Sequence, residues 1–143
     1  MGPADPAIAR LQALPNVTMH GAFSRLEDVV STDHFAYLHT SAWEGVPTIL
    51  FDVAAAGLPI CAPMVGGIPD FCDREDLVER FDDVDAFRSR LELMRSSFDL
   101  RQSLRKKQWD RLADTRRWAH FVERLASIEG YFHRASQAGR GGA

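Results

Sequence analysis

Between Ser41 and Asp70 the chain reads SAWEGVPTILFDVAAAGLPICAPMVGGIPD, and two carboxylates in it, Glu44 and Asp52, flank a turn and the start of a helix. Glu44-Gly45 is the tight turn, and Pro47 stands where the first helical turn favours proline. The backbone N–H groups of Thr48 and Ile49 then have no partner within the helix and lie at the positive end of its dipole, which suits a phosphate. Asp52 follows Thr48 by four residues and falls one turn deeper on the same face. A carboxylate there can accept hydrogen bonds from a vicinal diol such as a ribose. Glu44 stands outside the helix, on the other side of the phosphate position. Carboxylate, anion cradle and second carboxylate thus follow the order sugar, diphosphate, ribose of a nucleoside diphosphate sugar. On these features alone two readings stay open, ligand binding and plain compensation of the helix dipole by an acidic residue.

Other chemistries find less support. The histidines, at 20, 34, 39, 120 and 133, show neither H-x-x-x-H nor H-E-x-x-H spacing, so no metal site and no cofactor are expected. Ser41 lies in no G-x-S-x-G elbow, and there is no Walker A sequence. Cys61 and Cys72 form no C-x-x-C pair; Cys61 lies in an apolar run and is expected to be a buried thiol. Trp43, Trp109 and Trp118 are expected to pack rather than to serve as stacking platforms. Charge is uneven: residues 1–87 hold 4 basic and 14 acidic side chains, residues 88–143 hold 13 and 6. Such a field can attract an acidic membrane surface or nucleic acid. The reading preferred here is the solvated face of helices, since no aromatic-interleaved basic strand or C-x-x-C finger supports nucleic-acid binding.

The elements that must position these residues can be read from pattern. A short helix is expected over Asp5–Leu14 (Ile8, Leu11 and Leu14 at helical spacing, Pro15 ending it) and a short strand over Val17–His20, closed by Gly21. Ser24 with Glu27 reads as a capping box opening a helix through Val30. His34–His39 reads as a buried strand, Pro47 to Gly57 as a helix, Pro59–Pro63 as a strand entering a Gly66-Gly67 loop, and Leu77–Phe81 as a further candidate strand. Val84–Arg95, Leu100–Leu112 and Arg117–Ala135 read as helices with an apolar stripe, such as Phe121, Leu125 and Ile128. Strands alternating with helices give an α/β class with parallel pairing. With 45% hydrophobic residues, no charged leader before an apolar stretch, and an apolar region (Thr48–Val65) broken by Asp52, Gly57, Pro59 and Pro63, a cytoplasmic location is expected. One domain over residues 1–136 and a frayed, glycine-rich tail over 137–143 are expected.

Several linked motifs in this chain resemble those of retaining GT-B glycosyltransferases, especially family 4. Glu44 and Asp52 with seven residues between them resemble the E-x7-E motif. Ser41 with Glu44-Gly45-x-Pro47 resembles the S-x-x-E-G-x-P turn, Asp52-Val-Ala-Ala-Ala-Gly-Leu-Pro the E-A-M-A-x-G-x-P helix end, and Val65-Gly-Gly-Ile-Pro-Asp70 the V-G-G-x-P-E loop. Leu14-Pro-Asn-Val with Gly21 resembles the V-x-F-x-G strand, and Trp118 the late F-S-W segment. The likeness covers about residues 2–130. It implies an incomplete Rossmann-like parallel sheet followed by C-terminal helices, and transfer of a hexose from a nucleotide-diphosphate sugar with retention. Glu44 would then contact donor-sugar hydroxyls beside the Gly45 and Val46 backbone. Thr48 and Ile49 would hold the diphosphate, Asp52 the ribose, and Gly21 and Ala22 would lie near the base. Gly66 and Gly67 would shape the turn rather than touch the donor. The family has glutamate where Asp52 stands, and the shorter side chain draws the carboxylate back by about one C–C bond. Strands one and two of the family's sheet, its basic phosphate clamp and its acceptor domain would lie upstream. A preceding segment or companion chain is therefore the expected partner, and residues 1–143 alone are expected not to transfer sugar. The alternative is an inactive nucleotide-binding or interaction remnant.

Overall fold

A computed structural model describes residues 6–115 and 118–128. The chain divides into two compact units, one up to Thr32 and one from Asp33.

In the first unit, helix α1 spans Pro6–Gln12 and buries none of its residues. The expected apolar stripe of Ile8, Leu11 and Leu14 is half exposed. The strand expected over Val17–His20 does not form: the segment lies outside the only sheet of the described residues, and Thr18, Met19 and His20 are exposed. Without a paired neighbour its N–H and C=O groups are better served by water. The capping box at Ser24 does not form either. The Glu27 carboxylate takes Arg25 Nε at 3.0 Å instead, and the segment closes as a single 3-10 turn over Leu26–Asp28.

The second unit is mixed α/β. Strand β1 (Tyr37–Leu38) pairs in parallel with β2 (Ile60–Cys61), Tyr37 opposite Ile60 and Leu38 opposite Cys61. Both strands are shorter than expected, and of Leu77–Phe81 only Val78 pairs, as a lone parallel bridge to Pro63. The reason is local: Pro59 and Pro63 bracket β2 and remove two ladder donors. A Rossmann-like sheet of several strands is not formed among the described residues.

Helix α2 (Ile49–Ala55) lies between the strands in sequence and turns Leu50, Val53 and Ala54 inward. It stops where Gly57 was expected to stop it. Gly57 adopts φ 72°, its N–H donates to Ala54 O, and Leu58 N–H donates to Val53 O. That pair of bonds is a Schellman closure, which favours glycine. Helix α3 (Ile68–Phe71) follows the glycine loop. Helix α4 (Val84–Ser96) is capped by Asp83, whose Oδ1 accepts from Ala86 N–H at 2.9 Å. Ser97 Oγ accepts from Leu100 N–H near the start of α5 (Phe98–Thr115), and Arg101 donates back to the carbonyls of Met94 and Arg95. Helix α6 spans Trp118–Ser127; the part of the expected final helix beyond 128 lies outside the described residues.

Cys61, Val78, Phe87, Met94 and Leu104 form one core cluster, joining β2 to α4 and α5. Both cysteines are buried and free, and burial pushes their thiols up to about 11 (Cys61) and about 12 (Cys72). Part of the basic half of the chain is spent on the acidic half. Lys107 Nζ lies 2.9 Å from Glu75, 2.8 Å from Asp76 and 3.6 Å from Asp73, Arg90 pairs with Asp76, and Arg111 with Asp73. No helix among the described residues is long and apolar enough to cross a membrane.

The edge of β2 away from β1 is finished by a side chain. With the Gln108 amide oriented to suit its partners, Nε2 donates to Leu58 O at 3.2 Å and Oε1 accepts from Ile60 N–H at 3.0 Å. Gln108 is buried and stands in for a strand residue just before Val78 takes over, where Val78 N–H donates to Ala62 O and Met64 N–H to Val78 O. Gln108→Leu should therefore lower stability by ~1–3 kcal/mol, the cost of orphaning buried backbone groups. Urea unfolding checks this, and a variant as stable as the parent would contradict it.

Candidate functional site

The site residues expected at 44–52 form one continuous surface of the second unit. The turn after β1 carries Glu44, and the Gly66-Gly67 loop fixes it from beneath. Gly67 N–H donates to Gly45 O at 2.9 Å. Gly66 has φ 53°, and a Cβ there would fall on the Glu44 carbonyl oxygen. A Cβ at Gly67 would lie 2.6 Å from Val46 Cγ2 and 3.0 Å from Gly45 O. Both glycines are needed because two backbones meet at the separation of a glycine contact. The expectation that they shape the turn agrees with this geometry.

Gly45, Val46, Thr48 and Asp52 are exposed, and Ile49 is half-buried. Thr48 is already helical (φ −61°, ψ −29°), and the helix opens on 3-10 bonds, Leu50 N–H to Pro47 O and Phe51 N–H to Thr48 O. This leaves the N–H groups of Thr48 and Ile49 with no acceptor among the described residues, as the proline at 47 predicts. The hydrogen-bonded helix begins two residues after Pro47, because proline and threonine form its introductory turn. Asp52 lies on the solvent side of α2, opposite buried Leu50, Val53 and Ala54. Gly21, at φ 74°, and Ala22 are exposed residues of the first unit.

Three features escaped the sequence reading. Trp43, expected to pack, is 90% exposed beside Glu44. His39, by contrast, is 8% exposed. Its Nε2 lies 3.3 Å from Glu44 Oε1, within ion-pair range but without the alignment of a hydrogen bond, so that atom is a buried nitrogen with no bonded partner. Tyr37, two residues back on the same strand face, brings its hydroxyl within 3.3 Å of His39 Nδ1. The run of alternate residues 37 and 39 ahead of Glu44 was the available signal. Third, a cavity of about 570 Å³ borders the turn, lined by Val46, Phe51, Pro69, Asp70, Phe71, Arg111 and Arg124. Its arginines come from α5 and α6, and only tertiary packing brings them to Val46. A separate apolar groove of about 330 Å³ runs between Phe35 and Leu38 and the α4 residues Val84, Phe87 and Leu91.

Asp73, Glu75 and Asp76 gather carboxylates within reach of a single cation, and the Lys107 ammonium fills that role. Hydrogen bonds to Asp76 first and Glu75 second push the Lys107 ammonium above its ordinary range, against the opposing effect of burial. Compared with protein-family models, curated proteins and solved structures, the chain finds no match.

The packing of loop on turn makes a sharp expectation. Gly66→Ala must adopt a left-handed φ and also displace the Glu44 carbonyl, which is backbone and cannot swing aside. The loss should exceed ~2 kcal/mol. Gly57→Ala, where a Cβ meets nothing within 4 Å, carries only the left-handed penalty and should cost less. Thermal or urea unfolding of the two variants gives the comparison; equal losses would mean that the Gly66 contact adds nothing.

Proposed function

We propose that the second unit binds a nucleotide-diphosphate sugar along Glu44–Asp52, and that the chain supplies the donor half of a retaining glycosyltransferase of GT-B type. The observation that carries the reading is the order of groups on one braced segment. The Glu44 carboxylate is half-buried at one end, two unpaired amides follow at Thr48 and Ile49, and Asp52 is exposed at the other end. In this reading Glu44 meets the sugar hydroxyls beside Gly45 and Val46, the two amides meet the diphosphate, and Asp52 meets the ribose. Amides aimed at the diphosphate stabilise charge that grows as it departs, and they need no rearrangement to do so. The exposed Trp43 indole offers an apolar face next to the sugar position. The cavity at Val46, with its two guanidinium groups, leaves room for a second substrate beside the donor. The parallel β1–β2 pair with α2 between the strands is the part of a Rossmann-like sheet that this reading requires.

The small sheet favours a second reading, a nucleotide-binding module without turnover. Mass spectrometry of products from the intact gene, offered a panel of donors and acceptors, separates the two, since only the transferase forms a glycosylated product. Binding itself is tested by titrating the chain with UDP-glucose, GDP-mannose and ADP-glucose and with the matching nucleoside diphosphates. Asp52→Ala should weaken both members of the pair that binds by ~1.5–3 kcal/mol, the range for a charge-assisted hydrogen bond. Glu44→Ala should weaken the nucleotide sugar and spare the nucleoside diphosphate. If Asp52→Ala left nucleoside diphosphate affinity unchanged, Asp52 would be removed from the site.

A further inference from the structure

We propose that His39 is the positioning residue for Glu44: its imidazole, oriented by Tyr37, holds the Glu44 carboxylate in place for the donor sugar. The sugar contact rests on the reading above; the His39–Glu44 coupling rests on geometry alone.

The geometry begins with a polar side chain where the fold has little use for one. His39 N–H donates to Cys61 O at 2.9 Å and Tyr37 N–H donates to Pro59 O at 2.8 Å, so both residues are anchored by the β2 backbone. Their side chains then project to one face of the strand, as residues two apart must. The imidazole is more than nine-tenths buried, and burying it without partners is costly. It has two neighbours that explain it. Tyr37 Oη faces Nδ1 at 3.3 Å and Glu44 Oε1 faces Nε2 at 3.3 Å, one on each side of the ring.

We assign the ring proton to Nε2, because the Glu44 carboxylate facing that nitrogen can only accept. Burial first, and the Glu44 charge second, raise the Tyr37 hydroxyl above its ordinary range, so it remains a phenol able to donate. A phenol donating to Nδ1 makes that nitrogen the acceptor and leaves the ring proton on Nε2. Nε2–H then faces the carboxylate. In the free protein the pair is close but poorly aligned, with Nε2 left as an orphan. Bonds of this kind commonly tighten when substrate fills the site. Glu44 is 28% exposed, so one oxygen can meet His39 while the other looks outward to a sugar hydroxyl. A carboxylate held from behind loses less rotational freedom on binding, and this is how a supporting residue strengthens a contact that it does not itself make.

Two measurements on the full chain test this. In a long-range proton–nitrogen correlation spectrum of histidine-labelled protein, His39 should be neutral with its proton on Nε2. Glu44→Gln should move that proton's resonance. The opposite tautomer, or a resonance indifferent to Glu44→Gln, overturns the proposal. In titrations with the nucleotide sugar of the panel that binds, His39→Leu should weaken binding about tenfold and leave the matching nucleoside diphosphate within about twofold. His39→Gln, whose amide N–H reaches toward the Nε2 position, should restore most of the loss. Equal weakening of both ligands, or none, overturns the positioning role, because a merely structural histidine would not distinguish sugar from nucleotide. Should His39→Leu not fold, His39→Gln and the tautomer decide. If the parent chain binds none of the nucleotide sugars, the donor reading fails, and the spectra alone then decide whether His39 engages Glu44.

Discussion

The second unit depends on a close approach of two backbones, the Gly66-Gly67 loop against the Glu44-Gly45 turn. One hydrogen bond, Gly67 N–H to Gly45 O, holds them, and no side chain separates them. Everything the candidate site offers is referred to this contact. It sets where the Glu44 carboxylate stands relative to the first turn of α2. It also joins the two parallel strands at the end where their following segments, the turn after β1 and the loop after β2, come together. Ligand sites in open parallel sheets lie at that same carboxyl end of the strands.

Around this contact the structure economises on sheet. A parallel pair of two residues each is little by itself. Its remaining edge on β2 is satisfied by the Gln108 amide and by Val78, so the strand's polar groups are paired although no long third strand forms among the described residues. The cluster of Phe87, Met94 and Leu104 on Cys61 and Val78 then seals one side. The ion pairs of Lys107, Arg90 and Arg111 with Asp73, Glu75 and Asp76 tie the turn before α4 to α4 and α5. The opposed charges of the chain's two halves thus meet within the unit, which is a physical use for the asymmetry beyond solvation of helix faces.

What could be read from the sequence was what local chemistry decides. Gly57 ends α2 because only a left-handed residue closes a Schellman motif cheaply, and Pro47 frees the amides of Thr48 and Ile49. Helices α4 and α5 were legible as apolar stripes over Val84–Arg95 and Leu100–Leu112, whereas the caps at Asp83 and Ser97 emerge only in the structure. The misses have a common cause, dependence on partners distant in sequence. Val17–His20 has strand composition but no neighbour, and the Ser24 box lost its glutamate to Arg25. Trp43 is exposed because of where its turn projects, not because of its type. Within the candidate site the order of Glu44, Thr48, Ile49 and Asp52 was legible from spacing. For His39 the alternation with Tyr37 was the one signal, and only the fold shows that its ring lies against Glu44.

The central claim is that a nucleoside diphosphate and its sugar lie in order along residues 44–52. Amide chemical-shift mapping of the full chain reads that order directly, with UDP and UDP-glucose, and then the GDP and ADP pairs, added stepwise. The account predicts that the nucleoside diphosphate of the pair that binds shifts Thr48, Ile49 and Asp52. Its nucleotide sugar should extend the shifts to Glu44, Gly45 and Val46. No shifts with any pair, or shifts confined to the apolar groove of Phe35, Leu38 and Phe87, would contradict it.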